Sequence, residues 1–303
     1  MKSIRIGTRN SALALWQARE VARHLQNNNY TTEIIPIVSS GDKNLSQPLY
    51  SMGITGVFTR DLDIALLNDE IDIAVHSLKD VPTQLPENIE LIAYLKRDFP
   101  QDVLVRKSSA QEKPLHELKV ATGSLRRRAF WSKAFPGTEF SEIRGNIQTR
   151  LQKLEEQDFD ATIFSLAGIE RMKMNLNYEF LPFMISAPSQ GVVTVAGNSK
   201  NTEINAVLKE INDAETQICV EMERSFLQTL EGGCTAPIGA FAEKKDDKIS
   251  FIGALCSLDG QESIFVHESF VYEKGKDFGK EFAQTVLEKG GKGMMKKIKE
   301  TLN

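Results

Sequence analysis

Short apolar runs alternate with amphipathic segments over the first 95 residues. The apolar runs, typical of strands, are 4–7, 33–38, 71–75 and 91–95, and 33–38 is rich in β-branched residues. Between them, 58–68 has helical periodicity, and so does a segment that Ser11 or Asn10 can cap, with apolar positions Ala14, Ala18, Val21 and Leu25. The polar, glycine-containing stretch 39–56 predicts a loop. This β-α-β order predicts a mainly parallel sheet covered by helices.

The same alternation returns from about residue 97. Predicted strands are 102–106, 119–122, 140–143, 160–164 and 192–196, and predicted helices are 125–135, 146–157 and 166–172. We therefore expect a second α/β lobe, with the chain crossing twice between the lobes. Ligands in such folds bind beyond the carboxyl ends of the strands, where helix N-termini offer free N–H groups.

The last third of the chain has a different pattern. A long helical stretch, 205–230, has a break near 212–213, and three alternating strands follow at 238–242, 249–257 and 263–272. A terminal helix is predicted over 278–302, with an interruption at the glycines of 290–293. A meander of strands flanked by helices predicts a small α+β domain with an antiparallel sheet.

Composition indicates an ordinary globular protein. The 303 residues are 41% hydrophobic and 26% charged, with a formal net charge of −4. An odd count of three cysteines argues against a disulfide framework and for a reducing compartment. The sequence shows neither a signal-peptide pattern nor an apolar run long enough to span a membrane, so a cytoplasmic location is expected. No feature demands more than a monomer.

Positive charge is concentrated between residues 119 and 153. Eight basic and two acidic residues there give +6 in an otherwise acidic chain. Several of the arginines stand at predicted helix starts, where anions are already favoured and where guanidinium matches carboxylate or phosphate in a bidentate way. A solvated basic face, or salt bridges to Asp and Glu, remains the alternative for any single arginine. The pI near 5.8 disfavours a nucleic-acid binder.

Three further residues are candidates for chemistry. Asp80 and Lys79 follow a buried strand, and Asp80 could either form a structural ion pair or stabilise a developing cation. Cys234 stands on a turn between two glycines and Pro237, a placement that suits attachment or reaction better than packing. Cys219 and Cys256 fall inside predicted elements and are expected to be core residues. No Cys and His set has metal-ligand spacing, and no dinucleotide, Walker or nucleophile-elbow motif is present.

Six motifs in order resemble those of the porphobilinogen deaminase (hydroxymethylbilane synthase) family over essentially the full length. They are GTRNSALA at 7–14, HSLKDVPT at 76–83, SLRRR at 124–128, IRGN with TRL at 143–151, AGIER at 167–171 and GGCTAPIG at 232–239. The resemblance implies two periplasmic-binding-protein-like α/β lobes, at 1–95 with 191–209 and at 96–190. It also implies a C-terminal α+β domain at 210–303 that carries the cofactor cysteine.

The resemblance also implies the chemistry. The enzyme would be a transferase that joins four porphobilinogen molecules head to tail, with loss of ammonia, on a dipyrromethane held by a thioether to Cys234, and that releases hydroxymethylbilane. Asp80 is the implied catalytic residue. The implied cofactor-binding residues, besides Cys234, are Lys79, Asp80, Thr122, Ser124, Arg126, Arg127, Arg144 and Gly145. The implied substrate-binding residues are Arg9, Ser11, Arg144, Arg150, Arg171 and Gln190. No metal, nucleic acid or membrane partner is implied.

Four positions depart from the family pattern. They are Thr55 for lysine, Gly123 for serine, Ser189 for glycine and Ala236 for valine. Two alternatives to the deaminase hypothesis remain. One is a non-catalytic two-lobed protein that binds polycarboxylate anions, which leaves Cys234 unexplained. The other is an enzyme that uses Cys234 as a covalent nucleophile, for which no partner base is visible.

Overall fold

The computed structural model describes residues 3–38, 56, 58–230 and 236–302. The strands are β1 Ile4–Arg9, β2 Thr32–Ile37, β3 Ile73–Ser77, β4 Ile89–Tyr94, β5 Asp102–Arg106, β6 Val120–Ala121, β7 Phe140–Ser141, β8 Ala161–Ser165, β9 Glu179–Phe180, β10 Val193–Asn198, β11 Ile238–Lys245, β12 Lys248–Cys256 and β13 Ser263–Val271. The helices are α1 Ala12–Asn27, α2 Arg60–Leu67, α3 Leu125–Ala134, α4 Ile147–Glu156, α5 Leu166–Arg171, α6 Thr202–Lys209, α7 Ala214–Thr229, α8 Phe278–Val286 and α9 Lys292–Leu302.

These elements form two compact units. Among the described residues, unit 1 comprises 3–38, 56, 58–98 and 191–218, and unit 2 comprises 99–190, 219–230 and 236–302. The chain therefore passes between the units at 98/99, at 190/191 and within α7. The predicted loop at 39–56 falls almost wholly outside the described residues, as does the departure at Thr55.

Unit 1 is built on a five-stranded sheet in the order β2-β1-β3-β10-β4. The amphipathic pattern of α1 is confirmed, because Ala18, Val21 and Leu25 are fully buried against Ile6 of β1 and Val75 of β3. Helix α2 covers a second apolar cluster around Leu62 and Leu66. The helices lie over the sheet because each presents one apolar stripe that water would otherwise meet.

Unit 2 contains a second five-stranded sheet and the C-terminal meander. The five-stranded sheet has the order β7-β6-β8-β5-β9, and the antiparallel three-stranded sheet has the order β11-β12-β13. One apolar cluster joins them: Phe130 and Trp131 of α3 pack with Ala254 and Cys256 of β12. Close approach is obligatory at Gly260, where an added Cβ would lie 2.4 Å from the carbonyl oxygen of Ala129.

The predicted fold class is confirmed: two α/β sheets with helices, and a C-terminal antiparallel sheet with helices. The narrower prediction of mainly parallel sheets is wrong, because both five-stranded sheets are mixed. Strand β10 runs antiparallel to β3 and β4, and β5 runs antiparallel to β8 and β9. Strand β10 enters its sheet from the other unit rather than through a crossover helix, so the rule that makes βαβ connections parallel does not apply to it.

The helical predictions near the C-terminus are confirmed. The predicted break near 212–213 separates α6 from α7, with Asp213 accepting a hydrogen bond from Thr216 N at 2.8 Å. The predicted interruption in the last helix is a π-helical turn, Leu287–Gly291, in which Gly290 has φ +108°. That left-handed backbone is readily adopted only by glycine.

Candidate active site

A buried carboxylate at the start of β5 gathers two arginines of the SLRRR motif. Arg127 donates to Oδ1 of Asp102 from Nε and Nη2, at 3.1 and 2.7 Å. Arg126 Nη2 lies 2.7 Å from Oδ2 of the same carboxylate, whose side chain is fully buried. Both arginines stand in the first turn of α3, where Ser124 is the N-cap residue. These two arginines are therefore packed inside unit 2 and are not part of a solvated basic face.

Arg150 of α4 joins this cluster. Its Nη2 donates to the carbonyl oxygen of Ile163 at 2.7 Å, and Arg127 Nη1 donates to the same oxygen at 2.7 Å. The Arg150 guanidinium also lies 4.3 Å from the ring centroid of Phe164. Two like charges thus share one acceptor in the middle of β8. We call Asp102, Arg126, Arg127 and Arg150 the arginine cluster.

The arginine cluster holds more positive than negative charge. Burial, together with the like charge of Arg127, lowers the pKa of Arg150 to about 9, although Asp102 acts in the opposite direction. Burial also lowers the pKa of Arg126. Among the described residues, no partner hydrogen-bonds the buried Nε of Arg150 or the buried Nη1 of Arg144. Buried charge without full compensation destabilises a fold, so this arrangement is typical of a site that receives an anion.

Arg144 is held at the N-terminus of α4 by a turn that requires glycine. Gly145 has φ +117°, and a Cβ there would lie 2.7 Å from the side chain of Thr149. Asn146 caps α4 by accepting from Thr149 N at 2.9 Å. The carbonyl oxygen of Arg144 accepts from Lys153 Nζ at 3.0 Å. The IRGN motif therefore fixes the backbone that presents Arg144.

Thr122 and Ser124 shape the loop between β6 and α3. Thr122 is buried, and its Oγ1 accepts from Ser124 N at 3.2 Å. A Cβ on Gly123 would lie 3.2 Å from the carbonyl oxygen of Ile143 and 3.3 Å from Oε2 of Glu142. A serine at 123 therefore needs a shift of a few tenths of an ångström in this chain, which fits the glycine found there.

The segment before the second crossing is hydrogen-bonded to the arginine cluster. Gln190 Nε2 donates to the carbonyl oxygen of Pro100 at 2.7 Å and to Oδ1 of Asp102 at 3.2 Å. Arg126 Nη1 donates to the carbonyl oxygen of Ile185 at 2.5 Å. Both chain segments that border the first two crossings therefore meet at Asp102.

Strand β11 is fixed to the same segment. Ala240 N donates to the carbonyl oxygen of Ser186 at 3.0 Å. A Cβ on Gly239 would lie 2.8 Å from the side chain of Ile185. Cys234 itself lies outside the described residues, which resume at Ala236, a buried residue in the place of the family's valine. The chain that follows the cysteine motif is thus attached beside the carbonyl group that accepts from Arg126.

Ser189 occupies a position that suits glycine. Its φ is +67°, it is almost fully buried, and its hydroxyl has no hydrogen-bond partner in the described part of the chain. Its N–H donates to Oε2 of Glu223 at 2.6 Å, and Oε1 of that carboxylate accepts from Ala242 N at 2.7 Å. Glu223, a fully buried residue of α7, therefore ties the 186–190 segment to β11.

In unit 1, Lys79 and Asp80 stand on a single 3₁₀ turn, Leu78–Asp80, directly after β3. Leu78 and Val81 are buried on either side of it, and Leu78 N donates to the carbonyl oxygen of Val192 at 3.0 Å. Lys79 and Asp80 are only half-buried. The motif therefore holds its two charged side chains on a rigid support at the carboxyl end of a central strand.

Arg9 ends β1, the strand beside β3. Its guanidinium lies 4.3 Å from the ring centroid of Phe58, and Ser11 caps α1 by accepting from Ala14 N at 3.3 Å. Burial and then the charge of Arg9 lower the pKa of His76 to about 4, so His76 is neutral at neutral pH. Arg9 thus ends β1 and Asp80 follows β3, and these two strands are adjacent and parallel in unit 1.

Sequence reasoning named most of these residues but missed two carboxylates. Asp102 was predicted only as the start of a strand, and Glu223 only as part of a helix. A lone acidic residue next to an apolar run, as at 102–105, was the available signal for a buried ion pair. Arg171, the last residue of α5, is buried in unit 2.

The cysteines, possible metal ligands and possible membrane spans were compared over the described residues. Cys219 and Cys256 are buried, and burial raises the pKa of Cys256 to about 12, as expected for core thiols. In the described ranges, no group of His, Cys, Asp and Glu has the arrangement of a metal site. Within the same ranges, no helix has both the length and the apolar character needed to cross a bilayer.

Comparison with known families decides the assignment. Residues 4–206 match the family model described as "Porphobilinogen deaminase, dipyromethane cofactor binding domain", and residues 217–288 match "Porphobilinogen deaminase, C-terminal domain". The chain belongs to the porphobilinogen deaminase family. Membership confirms the predicted activity, formation of hydroxymethylbilane in tetrapyrrole biosynthesis, and the predicted dipyrromethane cofactor.

Full-length relatives agree with the family models. Porphobilinogen deaminase of Desulforamulus reducens is 38% identical over 98% of this chain and 98% of its own. That of Desulfitobacterium hafniense is 37% identical over 100% and 99%, and the probable porphobilinogen deaminase of Methanocaldococcus jannaschii is 42% identical over 84% and 89%. Among solved structures, the periplasmic VFT2 domain of Bordetella pertussis BvgS aligns with 69% of this chain and 86% of its own, at 11% identity and a TM-score of 0.41.

Proposed function

We propose that this member of the porphobilinogen deaminase family joins four porphobilinogen molecules on a dipyrromethane bound to Cys234, using Asp80 as its catalytic residue. The observation that carries the proposal is the arginine cluster, in which Arg126 and Arg127 pair with one buried carboxylate and Arg150 shares the carbonyl oxygen of Ile163 with Arg127. Each pyrrole of the substrate and of the growing chain bears an acetate and a propionate. Such a polyanion supplies the negative charge that the cluster lacks.

The residues of unit 2 fit the cofactor. Arg126, Arg127, Arg144 and the loop of Thr122 and Ser124 would hold its carboxylates, and Gly145 allows the backbone to turn there. When bound, the dipyrromethane supplies the pyrrole carbon to which the first substrate is joined. Cys234 precedes Ala236 by only two residues, and β11, which soon follows, is fixed to the segment that accepts from Arg126.

Asp80 would act on the substrate. Loss of ammonia from the aminomethyl group of porphobilinogen leaves a positively charged pyrrole methylene, and a carboxylate held on a fixed turn stabilises such a charge. A pyrrole carbon then forms the new bond and loses its proton. Arg9, Ser11, Arg144, Arg150, Arg171 and Gln190 would bind the substrate carboxylates.

The substitution Asp80→Asn tests this role, because it keeps the shape of the side chain and removes its charge. Removal of one preorganised group of this kind lowers kcat by on the order of 10²- to 10³-fold. We expect that loss in porphobilinogen turnover, with thermal unfolding unchanged because Asp80 is half-buried on a turn. Asp69→Asn is the matched control: it is an exposed carboxylate of unit 1 at φ +54°, where asparagine is well tolerated. Turnover by Asp80→Asn within threefold of the control would remove Asp80 from the mechanism.

The three-part division predicted from the sequence, with a C-terminal domain at 210–303, forms part of the proposal, as do a monomeric enzyme and a cytoplasmic location. The two buried thiols, Cys219 and Cys256, suit a reducing compartment. Sedimentation at micromolar concentration tests the monomer, with a mass near the 33.9 kDa of the chain as the expected result.

A further inference from the structure

Asp102, a buried carboxylate outside the six sequence motifs, contacts the guanidiniums of Arg126 and Arg127 in unit 2. Asp102 accepts two hydrogen bonds from Arg127 on Oδ1 and has Arg126 at 2.7 Å from Oδ2. Its side chain is fully buried, so bulk water does not compete with these partners. Asp102 is therefore the one side chain that both guanidiniums share, beside the carbonyl oxygens of Ile185 and Ile163 that accept from Arg126 and Arg127.

We propose that Asp102 is a positioning residue of the anion site: it fixes the orientation of Arg126 and Arg127 toward the carboxylates of the growing chain. The proposal rests on the proposed function for the identity of the anion, but the geometry of the cluster supports it independently. Gln190 supports it further, because its amide donates to the same Oδ1 and to Pro100. The carboxylate is thereby held from three directions.

The negative charge of Asp102 and its orienting contacts would affect anion binding in opposite directions. A negative group beside an anion site weakens anion binding by repulsion, so removing its charge alone would strengthen binding. If orientation is the main contribution, moving the carboxylate at constant charge weakens both binding and turnover. A displacement of about 1 Å at an oriented group lowers rates by on the order of 10²-fold.

Asp102→Glu is the variant that separates these effects. It keeps the charge that the buried arginines need and moves the carboxylate by one methylene. We expect kcat/KM for porphobilinogen to fall at least thirtyfold, while circular dichroism shows a folded protein. Asp158→Asn is the matched control, since that carboxylate is fully exposed and pairs with Lys119 in the same unit at 2.7 Å. Its kcat/KM should stay within twofold of the parent.

A second measurement does not depend on the deaminase reaction. In a Cys234→Ala background, which lacks the attached cofactor, citrate serves as the polycarboxylate probe. Its dissociation constant is obtained from the rise in melting temperature with concentration. We expect Asp102→Glu to weaken citrate binding about tenfold and Asp158→Asn to leave it unchanged.

The two measurements also separate the proposals. If the parent fails to convert porphobilinogen but Asp102→Glu still weakens citrate binding, the proposed function is wrong and the positioning role stands. If folded Asp102→Glu keeps both kcat/KM and citrate affinity within threefold of the parent, the positioning role is wrong. Should Asp102→Glu not fold, Gln190→Met takes its place, because it removes the amide support of Oδ1 without a charge change. The expected loss in kcat/KM and in citrate affinity is then about fivefold, and folded Gln190→Met that loses neither would show that the positioning role is wrong.

Discussion

Ser189 carries a strain that one substitution should relieve. Its φ of +67° places a side chain in the left-handed region, and its buried hydroxyl lacks a hydrogen-bond partner in the described structure. The left-handed backbone costs a non-glycine residue about 1–2 kcal/mol. An unsatisfied buried hydroxyl costs about 1–3 kcal/mol. A glycine at 189 would avoid both costs, but its greater conformational freedom in the unfolded chain would lower stability by about 0.5–1 kcal/mol.

Ser189→Gly should therefore stabilise the protein by about 2 kcal/mol, which is a rise in melting temperature of roughly 4–8 °C for units of this size. The hydrogen bond from the backbone N–H to Glu223 is unaffected by the change. Differential scanning calorimetry and urea unfolding, at matched cofactor content, measure the gain.

Ser189→Ala is the control that separates the two contributions. It removes the hydroxyl and keeps the Cβ in the left-handed region, so it should gain about 1 kcal/mol from the hydroxyl alone. The expected order of stability is Gly, then Ala, then the native Ser. A Ser189→Gly protein no more stable than the native chain would refute the account of this position.

The remaining predictions concern buried charge and backbone. Arg150→Met should lower kcat/KM by 10²-fold or more yet leave the unfolding free energy within about 1 kcal/mol, because a buried, incompletely compensated charge contributes little to stability; a large loss of stability in urea would assign Arg150 to the fold instead. The pKa of His76 is lowered from 6.5 to about 4 in the folded protein. The unfolded chain therefore binds the proton first as pH falls from 6.5 toward 4, and the free energy of unfolding decreases by up to about 3 kcal/mol, at about 1.36 kcal/mol per pH unit. His76→Gln should flatten that slope in acid urea titrations, and an unchanged slope would contradict the assignment. Gly145→Ala should destabilise unit 2 by about 1–3 kcal/mol, since φ is +117° and Thr149 blocks the Cβ. A variant that is as stable as the native protein in calorimetry would show that the turn tolerates a side chain.

The sequence predicted the positions of helices and strands better than it predicted how the strands pair in the sheets. Apolar periodicity located α1 and β5, because each presents a single buried face or a continuous buried run. It did not predict that β10 runs antiparallel in its sheet, because that depends on where the chain re-enters a unit. Local patterns contain no information on such a distant connection.

The site shows the same limit. Clustered arginines at helix starts predicted an anion site, but their main partner, Asp102, lies more than 20 residues away in the sequence and has no motif of its own. Long-range ion pairs follow from the packing of α3 against β5 and are not encoded in residue spacing. The alternative of salt bridges to acidic residues is correct for Arg126 and Arg127, which pair with Asp102, and for Arg128, which pairs with Glu142 at 2.6 Å.

The intact mass of the purified protein tests the central claim most directly. Protein made in cells supplied with porphobilinogen should exceed the mass of the chain by two pyrrole units, and Cys234→Ala should have the mass of the chain alone. Cys256→Ala, a change at a buried core thiol, should keep the excess. A native protein without added mass, or an excess that survives in Cys234→Ala, would contradict the claim that Cys234 holds the primer on which hydroxymethylbilane is built.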